Sequence, residues 1–237
     1  MAAPTAPPAV GRRARHLPWL AVLLTSLVIA VYAPGQYLFA SLTDLAESET
    51  GLASTYAARP AAIQLAFYVH IVFAGLALLV GGFQFSGTVR RRSPRLHRLL
   101  GRTYVASVFV GGVAALVMSF YSSVALLGLF GFGTLAVLWI WTTHRGLQSA
   151  RDGDFAAHQA WMIRSYALTY AAPTLRMWLF VLLLVQLPFG VDPGLAFVNA
   201  YAPVPFLCWL PNIVVAEYIV YRRGLPSLNL GALQRNR

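Results

Sequence analysis

The sequence predicts an all-α, polytopic membrane protein, a bundle of six transmembrane helices with both termini in the cytoplasm. Hydrophobic residues make up 58% of the 237 residues, charged residues only 11%, and the mean hydropathy is +0.64. Soluble domains carry about a quarter charged residues, so this composition excludes an ordinary soluble fold. Six apolar runs, each long enough to cross about 30 Å of hydrocarbon, alternate with short polar segments. The positive charges also collect on one side of those runs.

The apolar runs predict helices over residues 18–40, 62–85, 104–120, 124–143, 157–187 and 195–221. A basic segment precedes the first run, as in a signal peptide, but the run is too long for a typical signal, so we expect it to remain uncleaved. Pro173 predicts a bend in the fifth helix. Three prolines predict kinks in the sixth, with a broken helix that lines a cavity as the alternative. Residues 18–221 thus form the transmembrane domain, between a disordered basic tail (1–17) and a C-terminal tail (222–237).

The arginines predict the orientation of the bundle. Fifteen of the eighteen lie in the two tails and in the loops 86–102 and 144–155, whereas Arg59 is alone on the opposite side. Positively charged loops remain in the cytoplasm, so both tails are expected there, in a bacterial inner (plasma) membrane. Such arginines indicate topology determinants and contacts with anionic lipid headgroups, and not a nucleic-acid surface. The single cysteine, Cys208, excludes a disulfide within the chain.

Ionisable residues inside a membrane are costly and are therefore candidates for function. His70 in the second helix and Arg176 in the fifth are predicted at similar depth in the outer half, both facing the bundle and lying close together. Arg164 and Glu217 are predicted at one depth near the inner face, where a structural ion pair is the favoured interpretation.

Three further histidines, His97, His144 and His158, are predicted at the cytoplasmic end of the bundle. Two histidines on facing helices can ligate the iron of a b-type haem, and arginines can neutralise its propionates. This reasoning makes His70, His97, His144 and His158 candidate metal ligands. It also makes five residues candidates for cofactor binding: Arg98, Arg102, Tyr104, Trp161 and Arg164. Contact with headgroups or helix capping is an equally good interpretation of the three histidines at the cytoplasmic end. A hydrogen-bonded packing role is an equally good interpretation of His70.

Three segments resemble a large bacterial family of predicted integral-membrane proteins, the domain of unknown function 2306. They are residues 68–85, the element His-Arg-x-x-Gly-Arg-x-Tyr at 97–104, and the element His-x-x-Trp-Met-x-Arg at 158–164. The resemblance covers about residues 65–185. It implies the membrane fold and signature positions at His70, His97, His158, Arg164 and Arg176, but it implies no activity.

Several functions fit these features. The first hypothesis is a membrane oxidoreductase that carries haem b and exchanges electrons with a quinone or a similar lipid-soluble partner. Zinc held by three histidines, or no cofactor, is the alternative. The second hypothesis is a small-anion transporter or channel that uses His70 and Arg176. The third is a cofactor-free membrane enzyme acting on a lipid-soluble substrate, with His70 and Arg176 as its catalytic residues. A scaffolding factor is the fourth.

Overall fold

The computed structural model describes residues 17–47 and 53–226, and every regular element within them is helical. Residues 1–16 and 227–237, which include most of both predicted tails, lie outside the described residues. Six helices are long and apolar enough to cross a membrane, which confirms the predicted all-α membrane bundle. They are Trp19–Phe39, Ala61–Gln84, Pro94–Ser119, Ala125–Arg151, Ala171–Phe189 and Val204–Arg222. The cytoplasmic location of the termini stays a prediction.

We number the α-helices of the described residues in chain order. They are α1 Leu17–Phe39, α2 Leu42–Glu47, α3 Ala53–Ala57, α4 Ala61–Gln84, α5 Gly87–Arg92, α6 Pro94–Ser119, α7 Ala125–Arg151, α8 Phe155–Thr169, α9 Ala171–Gln186, α10 Pro193–Tyr201, α11 Val204–Leu207 and α12 Leu210–Arg222. We call the end where α6 begins and α7 finishes the arginine-rich end, and the other the opposite end.

The arginine-rich segment 86–102, predicted as a loop, is mostly helical. Ser86 caps α5 by accepting a hydrogen bond from the Val89 amide, and Pro94 occupies the first turn of α6, where a proline costs nothing. Arg95 and Arg98 are exposed, so their long side chains can reach the aqueous phase while the helix continues toward the membrane. The fourth predicted helix is likewise too short, because α7 continues past His144 to Arg151.

The fifth and sixth predicted helices are interrupted. The fifth divides at Tyr170 into α8 and α9, where Pro173 has no N–H for the Thr169 carbonyl and its ring crowds that turn. The interruption lies within one turn of Pro173, where the bend is predicted. The sixth divides into α10, α11 and α12, each with a proline in its first turn. These breaks leave backbone ends inside the bundle beside polar side chains.

The core of the bundle lies where α4, α6, α7 and α8 meet. The α4 and α8 helices approach closely because Gly81 has no side chain, and a Cβ there would lie 2.7 Å from the Tyr166 ring. At the opposite end, α2 and α3 contribute Leu42, Ala53 and Tyr56 to a second buried cluster that covers the bundle. Large apolar side chains remain exposed around the outside, as a surface in contact with lipid requires.

Candidate functional site

A cavity of about 220 Å³ lies inside the bundle, in the half nearer the opposite end. Residues from α1, α3, α4, α6, α7, α8, α9 and α10 line it, and Cys208, just after α11, completes the wall. Most of its wall is apolar, and the polar side chains on it are few. They are Tyr56, His70, Ser119, Trp139, Thr169, Arg176 and Tyr201. His70 and Arg176, predicted to face the bundle at similar depth, thus lie on the wall of one cavity.

The environment of His70 fixes which of its ring nitrogens carries the proton. Its Nδ1 lies 2.9 Å from the carbonyl oxygen of Gly111 on α6. A carbonyl oxygen only accepts, so Nδ1 is the donor and the neutral ring keeps its lone pair on Nε2. No described residue makes a hydrogen bond to Nε2. The imidazole therefore offers one proton-accepting nitrogen on a side chain that lines the cavity.

Close packing of α4 and α6 makes the hydrogen bond of His70 possible. A Cβ on Gly111 would lie 3.3 Å from both the Ala74 amide nitrogen and the Phe73 Cβ. Most real Cβ contacts are longer, so a larger residue at this position requires its neighbours on α4 to move by a few tenths of an ångström. Glycine at residue 111 therefore brings the carbonyl within reach of the His70 ring.

Arg176 is a cation in the membrane without a carboxylate partner among the described residues. Its Nη1 donates to the Ala172 carbonyl in its own helix at 2.9 Å, and the ionisable groups close enough to act on its charge include the phenols Tyr32, Tyr37 and Tyr201. A partly buried guanidinium has five donors, and one carbonyl satisfies only one of them. The remaining donors and the uncompensated charge favour an anionic guest.

A network of buried side chains lies beneath the cavity, toward the arginine-rich end. The Tyr104 hydroxyl lies 2.7 Å from both Ser165 Oγ and Thr169 Oγ1, and the Trp139 indole N–H donates to Thr169 Oγ1 at 2.8 Å. Ser165 Oγ also lies 2.6 Å from Thr143 Oγ1. Every hydroxyl has a partner, so the network joins α6, α7 and α8 without leaving an unpaired polar group. Tyr104, predicted to pack against a cofactor, is held within this network.

The predicted ion pair between Arg164 and Glu217 is present and bidentate. Arg164 Nε donates to Oε1 at 2.6 Å and Nη2 to Oε2 at 2.8 Å. The Arg164 side chain is 2% exposed and that of Glu217 38%. The guanidinium also lies over the Trp161 ring, 4.9 Å from its centroid, and exposed Arg145 approaches the same ring at 5.6 Å. Arg164 and Trp161, both predicted to bind a cofactor, are thus engaged with each other.

The three histidines of the arginine-rich end have different surroundings. His158 Nδ1 lies 2.8 Å from the Gly146 carbonyl, which leaves the lone pair on Nε2, as at His70. His97 lies near enough to His158 for their charges to interact. Both groups of the Gln84 amide have partners when its nitrogen faces His97 and its oxygen accepts from the Gly101 amide. In this orientation the nitrogen donates to His97 Nδ1 at 3.0 Å, so the proton of His97 lies on Nε2.

The remaining predicted site residues lie at the surface. His144 is exposed on α7, with its ring edge toward Phe109, and Arg98 and Arg102 are exposed on α6. Within residues 17–47 and 53–226, no three His, Cys, Asp or Glu side chains gather closely enough to hold a metal ion. The structure therefore places His70 and Arg176 on the wall of one cavity and His97 near His158, and it leaves His144 outside both groups.

Sequence reasoning missed several residues of the cavity wall. Trp139 and Tyr201 carry no charge and lie in apolar runs, so their sequence contexts give no signal that they face a cavity. Tyr56 lies between the first two predicted helices, where the sequence predicts no helix, yet it reaches the cavity from α3. At about 100° per residue, Thr169 shares one face of the predicted fifth helix with Ser165 and Arg176. This polar stripe was the one signal available in the sequence.

Residues 67–220 match the family model described as a predicted membrane protein, the domain of unknown function 2306. The match covers more than half of the chain, so the protein belongs to this family, as the sequence resemblance indicated. The matched region contains His70, Arg176 and most of the cavity wall. No curated protein and no solved structure matches the chain.

Proposed function

We propose that this protein binds a lipid-soluble molecule with an anionic head in the cavity and acts on it as a cofactor-free membrane enzyme. Arg176 holds a carboxylate or phosphate group, and His70 takes up or supplies a proton through Nε2. The observation that carries the proposal is the guanidinium of Arg176, which lines the cavity without a carboxylate partner among the described residues. A cation in such a place is expensive unless a ligand compensates it.

The chemistry assigned to His70 follows from its hydrogen bond. The Gly111 carbonyl orients the ring and keeps the proton on Nδ1, so Nε2 is the basic nitrogen. A histidine placed beside a bound anion suits general acid–base catalysis, because its charge changes near neutral pH. The apolar wall excludes water, which strengthens the interaction between Arg176 and a bound anion.

A transporter or channel for small anions would use the same two residues, but it needs a hydrated route beyond the cavity. Toward the arginine-rich end the cavity meets Leu78, Leu168 and Trp139, which are buried and packed. The hydroxyls beneath them satisfy one another and leave no polar group to line a path. This arrangement favours an enzyme or binding protein over a channel.

Haem b carried by His97 and His158, with electron exchange with a quinone, remains a separate proposal. Against it stands the hydrogen bond from Gln84, which uses the lone pair of His97 at Nδ1. An axial ligand at Nε2 requires the other tautomer. An absorption spectrum of the oxidised and the dithionite-reduced protein tests this proposal, since a Soret band that shifts on reduction requires haem.

The test of the proposed function is to identify small molecules that co-purify with the protein. Wild type, Arg176→Gln and Arg59→Gln are purified in mild detergent, and their extracts are compared by mass spectrometry. Arg59 is an exposed arginine near the opposite end and serves as the matched control. We expect an acidic lipid-soluble compound, enriched over the bulk membrane, with wild type and Arg59→Gln but not with Arg176→Gln. Equal acid content in all three proteins would overturn the proposal.

A further inference from the structure

A groove of about 340 Å³ lies between α1 and α9. Leu24 and Val28 line it from α1, and Pro173 and Met177 line it from α9. Leu24 and Met177 are each 51% exposed and Val28 is 62% exposed. Both helices belong to predicted membrane spans, so hydrocarbon is the medium around this groove.

The polar groups at the groove are already paired. Thr25 Oγ1 lies 2.6 Å from the Tyr170 hydroxyl, and Thr174 exchanges hydrogen bonds with Asn212. The groove thus gives a polar guest few groups to bind, and its remaining walls suit an alkyl chain.

The groove and the cavity adjoin each other at Ile29, which lines both. On α9 the two sites use successive residues, because Pro173 and Thr174 face the groove while Ala172 and Leu175 face the cavity. Arg176 lies next to Met177 in the same alternation. The groove, which is open to lipid, and the cavity with Arg176 therefore lie on two sides of α9.

The cavity is also smaller than the pockets that usually enclose a whole ligand. Pockets that enclose a whole small-molecule ligand usually measure about 300–1,000 Å³, whereas this cavity measures about 220 Å³. A head group fits that volume, but the remainder of a lipid-sized molecule must lie elsewhere.

We propose that the ligand is a single-chain amphiphile with an anionic head, which enters sideways from the bilayer past Ile29. Its head lies in the cavity at Arg176, and its alkyl chain lies in the groove between α1 and α9. This inference rests on the proposed function, because it names the class of molecule that the same site accepts.

Photolabelling in lipid nanodiscs tests the inference. The probe is a long-chain carboxylic acid with a diazirine near the middle of its chain, and its methyl ester serves as the uncharged control. We expect the acid to label α1 and α9 near Leu24, Val28 and Met177, and excess unlabelled acid to suppress that labelling. Labelling of Phe130, an exposed residue of α7, should not be suppressed. The ester should show no suppressible labelling.

Two variants separate this inference from the proposed function. Leu24→Trp fills the groove without touching the cavity, so it should abolish labelling by the long-chain acid but preserve binding of a short-chain photoreactive acid. Arg176→Gln should weaken binding of both acids about tenfold or more, as expected when a charge-assisted hydrogen bond is lost. Arg176→Lys keeps the charge and should retain part of the binding.

Each other result has a definite meaning. In one outcome, binding depends on Arg176 but not on Leu24→Trp, and the labels lie outside α1 and α9. This result would overturn the placement of the alkyl chain in the groove and leave the proposed function intact. In another outcome, the groove shows suppressible labelling that is equal for acid and ester and is unaffected by Arg176→Gln. This result would overturn both the further inference and the proposed function.

Discussion

Removing the carboxylate of Glu217 leaves the Arg164 charge buried, and this perturbation gives a measurable test of the polar core. The pair has two charge-assisted hydrogen bonds, of 2.6 and 2.8 Å. Breaking a fully buried pair costs about 3–5 kcal/mol. Because the Glu217 side chain is 38% exposed and partly screened, we expect Glu217→Gln to lower the free energy of unfolding by about 2 kcal/mol.

A double-mutant cycle with Arg164→Met isolates the energy of this pair. Unfolding of the four proteins is measured in mixed micelles of a mild detergent and sodium dodecyl sulfate. We expect a coupling energy of about 1–2 kcal/mol, as for residues in direct contact. Arg223→Gln, which changes an exposed arginine, is the control and should remain within about 0.5 kcal/mol of wild type. Additive effects of the two changes would refute the reasoning.

Three further predictions concern the frame around the cavity. Gly111→Ala should separate α4 from α6 and lower the free energy of unfolding by about 1–3 kcal/mol. Gly35→Ala is the control and should not destabilise the protein, because the space around residue 35 is open. Thermal unfolding in detergent measures both variants, and equal midpoints would contradict this packing. Tyr104→Phe should lower the unfolding free energy by about 1 kcal/mol through its lost hydroxyl contacts; an unchanged value would show that the network contributes little. Burial raises the pKa of Tyr56 to about 12, so the folded state binds this proton more tightly than the unfolded state. Stability should therefore fall as pH rises from 10 toward 12. In an ultraviolet titration, Tyr56→Phe should lack one phenol that ionises late, and loss of an early phenol instead would disprove the raised pKa.

The sequence was sufficient for the membrane fold and for the ion pair between Arg164 and Glu217. Long runs without charge can only be spans in such a composition, and helical rise places Arg164 opposite Glu217 and Arg176 near the depth of His70. Hydrocarbon forces such residues inward. In the structure Arg164 and Glu217 form an ion pair, and His70 and Arg176 line one cavity.

The cavity could not be predicted in the same way. Its wall combines single residues from many helices, and apolar ones such as Leu78 look the same in sequence whether they face lipid, core or empty space. The first turns of α6 were not predicted, because the arginines were assigned to a loop. Arginine is a good helix former, and its long side chain carries the charge to water. The division at Tyr170 was visible only as a bend at Pro173.

The central claim is that the uncompensated guanidinium of Arg176 binds an anionic head inside the membrane. The most direct measurement is the dissociation constant of a long-chain carboxylic acid for the detergent-purified wild type, Arg176→Gln and Arg59→Gln. We expect Arg176→Gln to raise that constant about tenfold or more and Arg59→Gln to leave it unchanged. The same constant for all three proteins would contradict the account.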